Sequence, residues 1–120
     1  MHKNIINMVG MTLCKARLNL SDEKLLQNDI AKAFDNAGIS YKREVRIDDK
    51  CIIDFMIGRL GIEVKVKGVG SAMNIYRQIE RYCANEHIDA LLLLTTKTMR
   101  LPETIANKAV YVVSLGRTQL

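Results

Sequence analysis

Ile52-Ile53-Asp54-Phe55-Met56-Ile57, followed by Gly61-Ile62-Glu63-Val64-Lys65-Val66, decides how this chain folds. Both stretches are rich in β-branched residues, and Gly58-Arg59-Leu60-Gly61 joins them. Glycines flanking Arg59 and Leu60 read as the tight turn of an antiparallel hairpin. Three charged groups interrupt the apolar runs, and burying a charge without a partner costs several kcal/mol. Side chains alternate along a strand, so Glu63 and Lys65 share one face while Ile62, Val64 and Val66 occupy the other. Counting back across the turn brings Asp54 level with Glu63 or Lys65, and a slip of one residue would send it to the opposite face.

Two carboxylates without a histidine or thiolate nearby form a hard oxygen site, suited to Mg²⁺ with Mn²⁺ as a substitute. The Val64 carbonyl is placed to add a ligand. A lysine two residues beyond an acidic ligand can hold an attacking water or neutralise charge growing on a phosphate. The chemistry expected is metal-assisted phosphodiester hydrolysis. Glu-x-Lys taken alone is a common same-face ion pair; the order acid, turn, acid-x-Lys within apolar strands carries the reading.

Asp54, then Glu63-Val64-Lys65, then Gln78-Ile79-Glu80-Arg81-Tyr82 on a following helix resemble the PD-(D/E)xK nuclease superfamily. That group includes type II restriction enzymes, archaeal Holliday-junction resolvases and small phage or mobile-element nucleases, and the likeness covers about residues 21 to 115. It implies a restriction-endonuclease-like core and a divalent-metal-dependent DNA endonuclease, closest in size and order to junction-resolvase-like or phage-type enzymes. Asp54 and Glu63 then bind the metal, Lys65 supports the nucleophilic water, and Gln78 faces the site. Tyr82, at helical spacing, reads as core. The chain departs from the family at two places. Ile53 stands where the family name has proline, and the position of the first-helix glutamate found in many members is Gln27. Glu23, one turn earlier on the same face, is the other candidate for a further ligand. The alternatives are a catalytically inactive nucleic-acid-binding module on the same scaffold and an RNA-processing nuclease.

The 120 residues fit one compact domain, and an apolar fraction of 48% with a single proline indicates a packed core rather than disorder. A net charge of +5 and a pI near 9.2 favour a polyanionic partner. Lys67 continues the Glu63 and Lys65 face, while Arg77 and Arg81 lie four apart on a helix. With Ser71 they are the candidate DNA-phosphate contacts. Gly68-Val69-Gly70-Ser71 lacks the endings of nucleotide-binding loops, so no nucleotide cofactor is expected. Cys14, Cys51 and Cys83 are odd in number and widely separated, which points to reduced thiols; neither His2 nor His87 has metal-ligand spacing. No apolar run is long enough to span a bilayer and no cleavage-site pattern follows the N-terminal stretch, so a cytoplasmic protein without membrane contact is expected. Cutting two strands would require a homodimer.

The architecture expected is α/β with the order α-β-β-β-α-β-α-β, a mixed central sheet flanked by helices. Residues 1–20 form an N-terminal extension, as a helix or a dimerisation arm, and 21–120 the single nuclease-like domain. Ser21-Asp22-Glu23-Lys24 caps a helix with an apolar stripe of Leu25, Leu26, Ile30, Ala33, Phe34 and Ala37, ending at Gly38. A half-exposed strand over 39–47 and the two site strands follow. Ser71 caps a second helix that buries Met73, Ile75, Tyr76, Ile79 and Tyr82 or Cys83. Ala90-Leu91-Leu92-Leu93-Leu94 reads as a central strand covered on both faces. Pro102 with Glu103 opens a short helix, and 109–115 supply a last strand.

Overall fold

The computed structural model describes residues 2–116 and has a six-stranded mixed sheet with helices on both faces. The order along the chain is α1 (Lys3–Cys14), α2 (Glu23–Ala37), β1 (Lys42–Arg46), β2 (Ile52–Ile57), β3 (Leu60–Lys65), α3 (Ala72–Cys83), β4 (Ala90–Thr95), β5 (Thr104–Ile105) and β6 (Lys108–Ser114). Across the sheet the strands run β1-β2-β3-β4-β6-β5. β1, β2 and β3 are antiparallel neighbours, while β3, β4 and β6 pair in parallel. β4 is flanked on both sides and all six of its residues are buried, as its uninterrupted apolar run requires.

α1 and α2 cover one face. Ile6, Val9 and Leu13 of α1 and Leu26, Ile30 and Phe34 of α2 pack with Phe55, Ile62, Val64, Leu92 and Leu94. α3 covers the other face, setting Ile75, Ile79, Tyr82 and Cys83 against Ile53, Met56, Leu91 and Leu93. Local chemistry sets the helix ends. The Asp22 side chain accepts the Leu25 N–H at 2.9 Å, and Gly38 closes α2 with φ 71°. Ser71 Oγ caps α3 by accepting the Asn74 N–H at 3.1 Å. Leu25 and Met73, expected in the buried stripes, are 48% and 57% exposed, because each sits at the edge of its helix's apolar arc.

Two local expectations are corrected. Residues from Pro102 form no helix; Thr104–Ile105 pair with β6 in a small hairpin whose turn residues, Ala106 and Asn107, have φ of 51° and 64°. Two successive left-handed residues give a type I′ turn, which matches strand twist and suits Asn. The connection is therefore β4-β5-β6 rather than β-α-β. The β2–β3 turn, in turn, is Gly58-Arg59 alone, with Gly58 at φ 58°. Gly61 belongs to β3 opposite Met56, and a Cβ there would lie 2.5 Å from Ile53 Cδ1. This glycine answers a packing requirement, not a turn.

Candidate functional site

β1 and β2 pair as Arg43 with Phe55 and Val45 with Ile53, but the pair between them, Glu44 with Asp54, is missing. Glu44 has φ 52°, a conformation L residues avoid in strands. The irregularity switches faces: Ile53 lies in the α3-side core and Phe55 in the α1–α2-side core, though they are two residues apart. Strict alternation would put them together. On the other edge, the β2–β3 ladder ends at Phe55 with Ile62. Beyond it the Val64 N–H donates to Asp54 Oδ2 at 2.8 Å, and the Asp54 N–H approaches Glu63 Oε1 at 3.4 Å. Each carboxylate thus meets a backbone N–H of the facing strand where the ladder stops.

Lys65 lies on the same face as Glu63, its Nζ 3.4 Å from Glu63 Oε2, and both side chains are largely buried at 15% and 3% exposure. Glu63 Oε2 is also 3.4 Å from the Tyr82 hydroxyl, which donates to the Ile52 carbonyl at 3.0 Å and accepts from Gln78 Nε2 at 2.9 Å. α3 therefore reaches the acids through Tyr82. From the opposite layer, Glu23 in the first turn of α2 accepts the Val66 N–H at 3.2 Å. The cluster sits at the carboxyl end of β3, beside its parallel neighbour β4, where open α/β sheets hold their ligands.

Burial pushes the Glu63 carboxyl up to about 8, and the Asp54 charge adds to the rise while Lys65 opposes it. Asp54 is raised too, by burial first, against the pull of the Val64 N–H. Such neighbours titrate as a pair, and burial favours holding a proton between them. Two acids against one ammonium leave a net negative charge that burial penalises, and a proton or a cation relieves it. A divalent ion fits this donor set. Hard carboxylate oxygens converge, and the Val64 carbonyl leaves the strand on the same edge as its N–H, the edge facing Asp54. Among the described residues, no group of three or more His, Cys, Asp or Glu side chains is placed to ligate one ion. Mg²⁺ typically takes only one or two carboxylates and fills its shell with water and substrate oxygens.

The other sequence-predicted residues divide. Gln27 is buried on α2, 9% exposed, one turn beyond Glu23. Lys67, just beyond β3, and Arg77, in the middle of α3, are exposed, and the Lys67 N–H donates to Thr96 Oγ1 at 2.8 Å. Ser71 serves as the α3 cap. Arg81 lies beside Cys51 and, with Asp48, Asp49 and Lys50, lines a hollow at the β1–β2 turn. Tyr82, which its spacing assigns to the core, is both core and site. A phenol on a buried helix stripe three or four residues from a polar Gln is the sequence signal that could have marked it. No disulfide joins Cys14, Cys51 or Cys83, and no described helix is long and apolar enough to cross a membrane. No protein-family model matches the chain, and no curated protein or solved structure is significantly similar to it.

Proposed function

We propose that this protein is a divalent-metal-dependent DNA endonuclease with a restriction-endonuclease-like core. The observation that carries the reading is the meeting of Asp54, Glu63 and Lys65 where the β2–β3 ladder opens. Asp54 and Glu63 hold Mg²⁺, with the Val64 carbonyl as a third protein ligand. When bound, the ion supplies a Lewis acid that polarises a phosphodiester and acidifies water. Lys65, held beside Glu63, positions the attacking water and offsets the negative charge that grows on the phosphate. Exposed Lys67, just beyond β3, and exposed Arg77 on α3 receive backbone phosphates, so affinity falls steeply with salt.

Purified protein incubated with supercoiled, branched and single-stranded DNA in Mg²⁺ should nick or cut at least one of them. Lys65→Ala and Asp54→Asn should lower that cleavage by roughly two orders of magnitude or more, and undiminished cleavage by both variants would refute the assignment. RNA belongs in the same panel, since the chemistry is shared. One site cuts one strand, so cleavage of both strands requires a homodimer, which light scattering at several concentrations reads directly.

One observation favours a second reading, a nucleic-acid-binding module without catalysis: Glu23, near enough for its charge to raise Asp54, accepts the Val66 N–H, and among the described residues no three acids are placed to ligate one ion. Calorimetric titration with Mn²⁺ separates the two. A bare binding module shows no ion site that disappears in Asp54→Asn.

A further inference from the structure

Tyr82 is 2% exposed, in a layer otherwise filled by Ile75, Ile79, Cys83, Leu91 and Leu93, where no hydroxyl is needed for packing. A buried phenol must satisfy its O–H, and this one does so by linking three elements. It takes a hydrogen bond from Gln78 one turn back on α3, gives one to the Ile52 carbonyl two residues before Asp54, and stands 3.4 Å from Glu63 Oε2. Lys65 Nζ approaches that same oxygen, whereas Oε1 lies at the Asp54 N–H. The two oxygens of Glu63 are therefore inequivalent. Oε2 lies against Lys65 Nζ of β3 and the Tyr82 hydroxyl of α3, whose single proton is shared between the nearer Ile52 carbonyl and this oxygen, and Oε1 faces the other acid.

We propose that Tyr82 is a positioning residue: its phenol, oriented by Gln78 and anchored on the Ile52 carbonyl, fixes Glu63 so that Oε1 is presented beside Asp54 to the cation. The inference rests on the proposed ion site at Asp54 and Glu63. Gln78 then acts through Tyr82 rather than on the substrate. Without the phenol, Glu63 has a free torsion between Lys65 and Asp54, and a cation must meet the ordering cost when it binds.

Tyr41 provides the control. Its hydroxyl is also hydrogen-bonded, to Asp35 Oδ1 at 2.9 Å, but in the opposite layer away from the acids. Mn²⁺ is titrated calorimetrically at fixed pH into the full chain and into Tyr82→Phe, Gln78→Ala, the double variant and Tyr41→Phe, with a thermal melt of each. Tyr82→Phe should weaken Mn²⁺ binding about tenfold, in line with the loss of groups that orient metal ligands. Gln78→Ala should weaken it by a smaller factor, and add nothing on the Tyr82→Phe background, because the two act in series. Tyr41→Phe should bind like the parent. Unchanged affinity in Tyr82→Phe, or an equal loss in Tyr41→Phe, overturns the role of Tyr82 while leaving the ion site standing. If Tyr82→Phe melts before titration, Gln78→Ala decides the question alone, and parental affinity there overturns the proposal. A parent chain that takes up no Mn²⁺ overturns the ion site itself, and the positioning role with it.

Discussion

On the α1–α2 side of the sheet, Phe34, Tyr41 and Phe55 meet edge to face with ring centroids 5.4, 5.6 and 5.7 Å apart. On the α3 side, the layer of Ile53, Ile79 and Leu93 ends in Glu63, Lys65 and the hydroxyl of Tyr82. One layer gains from burial and from aromatic pairs worth about 0.5–1.5 kcal/mol each. The other gives up part of that gain to hold charge. The contrast separates residues that secure the fold from residues held against the preference of the fold, and it makes opposite predictions for the two faces.

The largest effect falls on the apolar side. Phe34 is fully buried, and Phe34→Ala should cost about 3–5 kcal/mol through lost transfer energy and the cavity left behind. Chemical denaturation measures it. Mn²⁺ affinity below the melting temperature should be unchanged; a variant that lost ion binding while folded would erase the distinction between the faces. On the polar side the expectation reverses. Asp54→Asn keeps an acceptor for the Val64 N–H and removes a half-buried negative charge, so its melting temperature should equal or exceed the parent's while Mg²⁺-dependent cleavage falls roughly 10²–10³-fold. A parallel loss of stability and activity would show Asp54 to be a structural acid.

The pH dependence of stability sharpens the contrast. The Glu63 carboxyl has an ordinary value of 4.5 and sits at about 8 in the fold. The folded state therefore binds the proton more tightly than the unfolded chain. The associated stability is fully present below pH 4.5 and is lost as pH rises through 8. Glu63→Gln has no such proton to lose. Without metal it should match the parent near pH 4.5 and exceed it by roughly 2–4 kcal/mol at pH 8. Saturating Mn²⁺ should return part of that stability to the parent and none to the variant. Urea unfolding at several pH values, with and without Mn²⁺, tests both statements, and a parent whose stability is flat across this window would remove the strain assigned to Glu63.

What the sequence made legible follows the same division. α2 could be read from its Asp22 cap, apolar stripe and Gly38, and β4 from an apolar run, because each depends on local chemistry. Counting across the hairpin brings Asp54 level with Glu63 or Lys65, and it is the turn at Gly58-Arg59, with Gly61 serving the packing of Ile53, that sets it beside Glu63. The β5–β6 hairpin was hidden because Pro102-Glu103 imitates a helix start, while Ala106 gives no hint of a left-handed turn. Contacts made over long separations were hidden as well. Glu23 meets Val66 across 43 residues and Tyr82 meets Ile52 across 30, and neither distance leaves a periodic trace.

The smallest predicted effect concerns the residue that sets the two faces apart. Glu44, at φ 52°, stands where the strand pair is broken beside Asp54 and the buried side chains change layers. Its carboxylate pairs with Lys24 at 2.9 Å on the exposed surface, a contact of little weight that salt screens. Glycine adopts positive φ without the steric cost of a Cβ. If Glu44 is there for its backbone conformation, Glu44→Gly should raise the melting temperature slightly, most visibly in high salt where the Lys24 pair is already weak, and leave Mn²⁺ affinity intact. Glu44→Val, whose branched side chain resists that conformation, should instead favour regular pairing through Asp54, turn the Asp54 carboxylate away from Glu63 and weaken Mn²⁺ binding. Equal Mn²⁺ affinities in the valine and glycine variants would show that Asp54 is placed by the Val64 N–H alone, and that the broken pair across β1 only accommodates it.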